Sequence, residues 1–175
     1  MVLMTAAFVL PTLSTAAERT PLETVAAVEL DRYLGRWYEI ASYPAWFQRG
    51  CTATTAEYSR RPDGAIRVVN SCRKGSLDGK VKMAKGKATV ADPTSNARLK
   101  VSFFWPFAGD YWIIDLDPEY RWAVVGEPRR NYLWILSRTP AMDEATYQAI
   151  VPRLPDRGYD PGRLHRTLQA TVGQP

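Results

Sequence analysis

The middle of this chain consists of eight short segments with strand-like sequence, each separated from the next by turn residues. Within them apolar and polar side chains alternate, which is the pattern of a β-strand with one buried face. The eight segments are Trp37–Ser42, Cys51–Arg60, Ala65–Arg73, Val81–Ala91, Arg98–Phe104, Asp110–Asp117, Arg121–Gly126 and Tyr132–Arg138. Short strands at this spacing predict an all-β sandwich or barrel rather than alternating βαβ units.

Beyond the eighth strand the alternation gives way to a single helical pattern. Asp143 is a good N-cap for an apolar stripe, and a helix is predicted over about residues 143–155. The segment Leu164–Leu168 predicts a short final strand. With 175 residues, the chain has the size of one domain. We expect residues 18–175 to form it, with the barrel over about 36–138.

Residues 1–17 carry no charge, are mostly apolar and end in Ser14-Thr15-Ala16-Ala17. This run is too short to cross a membrane as a helix, which takes about 20 apolar residues. Small residues after an apolar run predict a secretory signal peptide that is cleaved near Ala17. The alternative is an apolar tail without fixed structure.

The only two cysteines, Cys51 and Cys72, flank the turn Arg61-Pro62-Asp63-Gly64 almost symmetrically. A hairpin through this turn brings them close together, and export allows oxidation, so we expect a disulfide. The two positions fall on different faces of an ideal ladder. Pairing therefore requires a β-bulge, or Cys51 placed just before its strand. Two buried thiols are the alternative.

Composition excludes several classes of protein. An apolar fraction of 46% is too high for a disordered chain. One His and two Cys are too few ligands for a structural zinc site of the Cys/His type, and we expect no metal and no cofactor. The net charge of +5 comes from scattered residues, so no nucleic acid is expected as a partner.

If the eight strands form an up-and-down barrel, the loops after strands one, three, five and seven share one end. These loops carry large aromatic residues together with cations: Trp46, Phe47, Trp105, Phe107, Arg49, Lys74, Arg129 and Arg130. Aromatics ringed by cations suit an amphiphile with an apolar tail and an anionic head. The alternative is that the aromatics fold back and cap the core.

The alternation also assigns the side chains that point into the barrel. Those expected to contact a ligand are Tyr58, Val68, Val101, Phe103, Tyr111, Trp134 and Leu136. Small residues among the other inward positions, such as Thr54 and Ala56, leave room for a cavity; a packed core is the alternative. Glu39 is also expected to face inward, near the closed end, as a hydrogen-bonded structural acid.

Two sequence blocks carry a family resemblance. The segment Leu30–Ala41 contains Gly35-Arg36-Trp37-Tyr38 after a short helical turn and resembles the opening block of the lipocalin family. The segment Asn131–Pro140 resembles the last strand of the bacterial lipocalins related to apolipoprotein D. With similar blocks between them, the resemblance covers residues 28–169 in order. Gly-x-Trp-Tyr alone is weak, but the whole set at these spacings is specific.

The resemblance implies an eight-stranded antiparallel up-and-down β-barrel with one C-terminal helix packed outside it. It places Trp37 across the barrel floor with Arg138 over it, as a structural cation–π contact. It implies binding and transport or storage of a lipophilic ligand, a fatty acid or lysophospholipid, in the bacterial envelope, with a role in membrane maintenance or stress. Haem or tetrapyrrole binding is the alternative.

A lipocalin-type enzyme is less favoured, because His165 is the only His and lies beyond the barrel, while both cysteines are expected to be paired. Many bacterial members are outer-membrane lipoproteins, but this sequence has no Cys near the predicted cleavage site. We therefore expect an exported protein without N-terminal lipidation, soluble in the periplasm or associated with the outer membrane. It is expected to be a monomer or a weak homodimer, and the aromatic loops at the mouth would permit dimerisation. Peripheral contact with a membrane is compatible with the sequence, which does not decide whether the mouth aromatics make it.

Overall fold

The computed structural model describes residues 20–170, so the expected signal peptide lies outside the described residues. These residues form a closed antiparallel β-barrel with a helix packed on its outer wall, which confirms the predicted fold class. The strands are β1 (Gly35–Ser42), β2 (Cys51–Arg60), β3 (Ile66–Lys74), β4 (Val81–Val90), β5 (Arg98–Phe104), β6 (Phe107–Leu116), β7 (Trp122–Gly126), β8 (Leu133–Ser137) and β9 (His165–Arg166). The helices are α1 (Leu30–Tyr33) and α2 (Glu144–Ile150), and short 3₁₀ segments cover Trp46–Gln48, Val151–Arg153, Pro155–Arg157 and Pro161–Arg163.

Each of the first eight strands is antiparallel to its neighbour in sequence, and β1 pairs with both β2 and β8 to close the barrel. The short β9 lies beside the end of β1, with Ser42 opposite His165. The chain therefore runs up and down around the barrel. One end holds α1 and the start of β1. The other, which we call the mouth, holds the loops after β1, β3, β5 and β7.

Most element boundaries lie within two residues of the sequence prediction, but two differ by more. The sixth strand begins at Phe107 rather than Asp110, because Phe104 pairs with Phe107 and leaves a turn of only Trp105 and Pro106. The α-helical part of the predicted helix 143–155 ends at Ile150 and continues as 3₁₀ turns. Prolines that follow it have no N–H to donate to the preceding turn, so the α-helix cannot continue. The predicted cap at its start is present: Asp143 accepts a 2.8 Å hydrogen bond from the Thr146 amide.

The strand alternation divides the apolar side chains between two clusters. Ile113 and Val125 point into the barrel, where they pack in one cluster. Their neighbours Ile114 and Val124 point outward and pack against Ile150 of α2. Opposite faces of the same strands thus form the barrel interior and the seat of the helix, as period two requires.

The closed end of the barrel is built around Trp37 and Arg138. Trp37 is fully buried, and the Arg138 guanidinium carbon lies 3.8 Å from its ring centroid. Arg138 also donates hydrogen bonds of 2.9 and 3.0 Å to the carbonyls of Leu34 and Arg36. The Trp37 indole donates to the Tyr33 carbonyl at 2.8 Å. One cation therefore joins the end of β8 to the start of β1, which is the arrangement implied by the family resemblance.

The disulfide between Cys51 and Cys72 is present, with an S–S distance of 2.09 Å, which confirms the expected pairing. The ladder between β2 and β3 shifts register between Thr52 and Thr55. Ala53 lies inside this shift with a φ of +46°. A β-bulge at this position is one of the two solutions that the sequence left open, and it brings the cysteines together.

The seam between β1 and β2 is closed in two different ways. The two strands pair only over Gly35–Tyr38, in the half nearer the closed end. Nearer the mouth, Gln169 donates 2.8 Å hydrogen bonds from its side-chain amide to the backbone carbonyls of Glu39 and Thr54. We call this contact the Gln169 bridge. Backbone hydrogen bonds support this bridge, from the Thr167 amide to the Ile40 carbonyl at 2.9 Å and from the Ala53 amide to the Leu168 carbonyl at 2.7 Å. The C-terminal segment thus replaces part of the ladder between β1 and β2.

Replacing Arg138 by Met keeps most of the side-chain volume but removes the charge and the donors. We expect the free energy of unfolding to fall by about 2–4 kcal/mol, because a partly desolvated cation–π contact is lost and carbonyls lose their donors. Urea denaturation followed by circular dichroism measures the change. The matched control is Arg36→Met, which removes an exposed ion pair with Glu57 and should cost less than about 1 kcal/mol. Equal destabilisation by both variants would contradict this account of the closed end.

Candidate ligand-binding site

A cavity of about 250 Å³ lies inside the barrel and opens toward the mouth. All seven strand positions that the alternation assigned to a ligand line it, namely Tyr58, Val68, Val101, Phe103, Tyr111, Trp134 and Leu136. Phe47 from the loop after β1 lines it as well. The packed core without a cavity, which was the alternative, is not what the described residues form.

Small residues make room for the cavity. Ala56 and Gly109 are among the residues that line it. Gly86 on β4 lies directly behind the Phe103 ring: a Cβ atom added there would sit 2.9 Å from Phe103 Cδ1 and 2.7 Å from the Ser102 carbonyl oxygen. The missing side chain therefore lets Phe103 lie close against β4 instead of projecting further into the lumen.

An aromatic series leads from the mouth into the cavity. The ring centroids of Trp46 and Phe47 are 5.6 Å apart, and Phe47 is 5.6 Å from Tyr132. Tyr132 then stacks on Trp134 at 5.8 Å. Trp46 is 77% exposed and does not line the cavity, whereas the other three do.

A second group of aromatic residues at the mouth is turned toward solvent. The exposed fractions are 80% for Phe104, 91% for Trp105 and 78% for Phe107. These residues form the turn between β5 and β6, and together with Trp46 we call them the aromatic rim. They do not fold back onto the core, which was the alternative raised by the sequence.

The predicted cations are not brought into the cavity. Arg49 is exposed at the mouth, where its carbonyl accepts a hydrogen bond from the Lys74 ammonium group. Arg129 and Arg130 line a separate depression on the outside of the barrel. Arg130 donates to the carbonyls of Pro128 and Arg157, at 2.8 and 3.1 Å. Its guanidinium therefore holds neighbouring segments together, and loop residues lack the alternation that would have shown this from sequence.

Three tyrosines meet at the lower end of the cavity. The Tyr33 and Tyr111 hydroxyls are 2.7 Å apart, and the Tyr58 hydroxyl donates to Tyr111 at 3.0 Å. Burial raises the pKa of Tyr58 to about 12 and raises the pKa values of Tyr33 and Tyr111 well above their ordinary range. All three phenols are therefore neutral over the physiological pH range. The strand pattern revealed Tyr58 and Tyr111 but missed Tyr33, which comes from α1.

Glu39 lines the cavity and is fully engaged by hydrogen bonds. Its carboxylate accepts from Ser42 at 2.9 Å, from Gln48 at 2.7 Å and from Thr167 at 2.6 Å. Gln48 in turn accepts from the Trp134 indole at 3.0 Å. The acid is buried and inward-facing as expected, but it lies in the mouth half of the barrel rather than near the closed end. The role of Gln48 was not evident from the sequence.

Few groups in the described part of the chain are suited to metal binding or to nucleophilic or acid–base catalysis. No cluster of three or more His, Cys, Asp or Glu there could hold a metal ion. Both cysteines are in the disulfide, and His165 is exposed on β9, outside the barrel. No helix among residues 20–170 is long and apolar enough to cross a membrane.

The comparison with known families is decisive. The model of the family described as "Lipocalin-like domain" matches residues 28–169. The chain belongs to the lipocalin family. This lipocalin is 43% identical to temperature-induced lipocalin-1 of Arabidopsis thaliana over 162 residues, which cover 87% of this chain and 86% of the plant protein. It is 41% identical to the outer membrane lipoprotein Blc of Escherichia coli K12 over 156 residues, covering 89% of this chain and 88% of Blc.

Among solved structures, insecticyanin from the tobacco hornworm Manduca sexta superposes on this lipocalin with a TM-score of 0.70. The superposition covers 86% of each chain at 18% sequence identity, so it bears on the fold alone. The resemblance first seen in the Gly-x-Trp-Tyr block is thus confirmed. That block also positions the site: Trp37 forms the floor, and the next inward residue of β1, Glu39, reaches the cavity.

The three phenols predict a dependence of stability on alkaline pH. An unfolded Tyr has a pKa near 10, so the unfolded chain loses these protons before the folded protein does. The free energy of unfolding should therefore be unaffected by them below about pH 10 and fall as the pH rises from about 10 toward 12, by about 1.4 kcal/mol per pH unit for each phenol. Urea denaturation across this range measures the slope.

The double variant Tyr58→Phe/Tyr111→Phe should show a shallower fall than the parent protein, because two of the three phenols are gone. Burial also raises the pKa values of Tyr43 and Tyr159, but these residues are unchanged in both proteins. Parallel slopes for parent and variant would show that the trio does not titrate as described.

Proposed function

We propose that this lipocalin binds and transports or stores a single-chain lipid, a fatty acid or lysophospholipid, whose acyl chain occupies the barrel cavity. The observation that carries the proposal is an apolar cavity of about 250 Å³, closed at one end and open at the mouth. Each methylene that leaves water contributes about 0.8 kcal/mol, from which the cost of ordering the chain is subtracted. A cavity of this size suits one extended chain.

The anionic head of such a lipid belongs at the mouth, outside the cavity. Arg49 and Lys74 are exposed side by side there and offer positive charge at the entrance. Arg129 and Arg130 lie in the loop between β7 and β8 at the same end of the barrel. The positive charges of these two arginines attract the anionic head of the lipid over a longer distance, without direct contact.

The names of the relatives support the cellular setting that we propose. The E. coli relative is named an outer membrane lipoprotein, and the plant relative is named for its induction by temperature. These names support a role in the bacterial envelope, in membrane maintenance or stress. We propose that residues 1–17 direct export and that the protein acts in the periplasm or at the outer membrane.

Binding of haem or another tetrapyrrole is less well supported. The described residues that line the cavity include no His, Cys or Met, so one of the lining tyrosines, Tyr58, Tyr111 or Tyr132, would have to bind the iron. The Tyr58 hydroxyl is already engaged with Tyr111, whose own hydroxyl also contacts that of Tyr33. A Soret band appearing on addition of haemin would favour the tetrapyrrole.

Catalysis is likewise not favoured, because the only His is outside the barrel and the thiols are oxidised.

Filling the cavity should weaken lipid binding. Val101→Trp places an indole among the lining residues, and we expect the Kd for oleate or lysophosphatidylcholine to rise at least about tenfold, as the acyl chain loses its space. Titration of delipidated protein, followed by tryptophan fluorescence, measures it. Val81→Trp is the control, since Val81 is 55% exposed. No saturable change with the parent protein, and no lipid in its mass spectrum after purification, would defeat the proposed function.

We further propose that the aromatic rim contacts a lipid bilayer. Large apolar side chains exposed together mark an interaction surface, and Trp and Phe are suited to the boundary between water and lipid. Arg73 and Lys74, at the end of β3, are exposed at the same end of the barrel and would favour anionic headgroups. Contact with a membrane would place the mouth where its lipid ligands are found.

The double variant Trp105→Ser/Phe107→Ser should bind vesicles of phosphatidylcholine and phosphatidylglycerol at least about tenfold more weakly than the parent protein, because two membrane-facing rings are lost. Co-sedimentation measures this, and added salt should also weaken binding of the parent protein. Met83→Ser removes an apolar residue that is 56% exposed on β4 near the mouth but outside the aromatic rim, and it should weaken vesicle binding much less. If the rim variant instead loses only a weak homodimer in sedimentation velocity, the surface is a protein interface.

A further inference from the structure

The cavity contains polar groups but no cation. None of the described residues that line it is Lys, Arg or His. Of the two carboxylates among them, Asp110 is paired with Lys100 at 2.7 Å. The other, Glu39, is buried and accepts hydrogen bonds from uncharged donors only.

This distribution of charge opposes an anion inside the barrel. A carboxylate or phosphate within the cavity would leave water without gaining a cationic partner, which is costly. It would also lie in the same low-dielectric space as the acid of Glu39, where repulsion between like charges is strong. A polar group that enters the cavity must therefore be uncharged.

The cavity wall also contains polar atoms without partners. Thr54 Oγ1 and Asn70 Oδ1 are both enclosed and make no hydrogen bond, although both residues line the cavity. Thr54 is only 8% exposed. Asn70 on β3 is opposite Ala56, and Thr54 is two residues from Ala56 along β2, beside the β-bulge, so both residues come from the same part of the β2–β3 hairpin. A buried acceptor without a donor is a cost that a bound ligand can remove.

The tyrosine trio adds a donor at the lower end. Three hydroxyls carry three protons, but only two hydrogen bonds join them. One proton therefore has no acceptor within the trio. When Tyr33 donates to Tyr111, the free proton is that of Tyr111, which lines the cavity. The Asn70 acceptor, the Thr54 hydroxyl, which can donate as well as accept, and the Tyr111 donor below them match a group that can both donate and accept.

We propose that the cavity contains a subsite for an uncharged lipid hydroxyl, with Asn70 accepting its proton and Thr54 and Tyr111 supplying donors. The ligand class is a lipid with a free hydroxyl: a fatty alcohol, a monoacylglycerol or a hydroxylated acyl chain. The inference rests on the proposed function, since it concerns the same cavity. It adds that selectivity inside the barrel is set by hydrogen bonding and the exclusion of charge.

Three probes with the same hydrocarbon chain separate these effects: oleyl alcohol, methyl oleate and oleate. They are titrated into the delipidated full chain, and tryptophan fluorescence gives each Kd. In Asn70→Leu we expect the Kd for oleyl alcohol to rise about tenfold, while those for methyl oleate and oleate change by less than about twofold. Thr54→Val should act in the same direction but less strongly. Thr55→Val alters a neighbouring lining threonine whose hydroxyl is not among the unpartnered atoms, and it should have no selective effect.

The outcomes distinguish this inference from the function on which it rests. If the parent protein binds none of the three probes, the proposed function fails and the subsite with it. If all three bind and Asn70→Leu affects them equally, or affects none, only the subsite is wrong. Weakening of oleate to the same extent as oleyl alcohol would show that the anionic head enters the cavity. Should Asn70→Leu fail to fold by circular dichroism, Thr54→Val against Thr55→Val decides the question on the same criteria.

Discussion

The packing of the Arg138 guanidinium on the Trp37 ring, at 3.8 Å, is the contact on which the rest of the barrel depends. A guanidinium is weakly hydrated and planar, so it can cover an aromatic ring at moderate desolvation cost while its edge donates to carbonyls. Here those carbonyls belong to the segment that enters β1. The same side chain thus closes one end to water and joins the last barrel strand to the first, so that the apolar interior has a single opening.

The fold and most of the cavity wall were predictable because they depend on local alternation. Period two fixes the direction of every strand side chain once one face is known, which is why Tyr58 and Trp134 were placed correctly inside the barrel. No such rule exists for loops. Some contacts depend on how distant segments meet, and sequence periodicity does not contain that information. Examples are the position of Arg130 outside the barrel, the contact of Gln48 with Glu39 and the position of Tyr33 beside Tyr111.

Charge and polarity are arranged along the barrel axis in a definite order. Cations such as Arg49 and Lys74 are at the mouth, in water, and the described lining of the cavity contains none. Inside, the polar groups are uncharged except for two carboxylates: Asp110 is paired with Lys100, and Glu39 is hydrogen-bonded. Below them the phenols stay neutral because burial raises their pKa values. A ligand moving inward therefore passes from an electrostatic environment to one governed by hydrogen bonds and apolar contact.

The Gln169 bridge gives the barrel a temporal order of completion. Residue 169 follows all eight barrel strands along the chain, yet its side chain spans β1 and β2 near the mouth. Earlier segments of the chain emerge first, during synthesis and again during the proposed export. The β1–β2 seam near the closed end can therefore form its hydrogen bonds as soon as β2 has emerged. The seam near the mouth cannot be completed until a residue more than a hundred positions later is present. Until then the nascent barrel is open along its side as well as at its mouth.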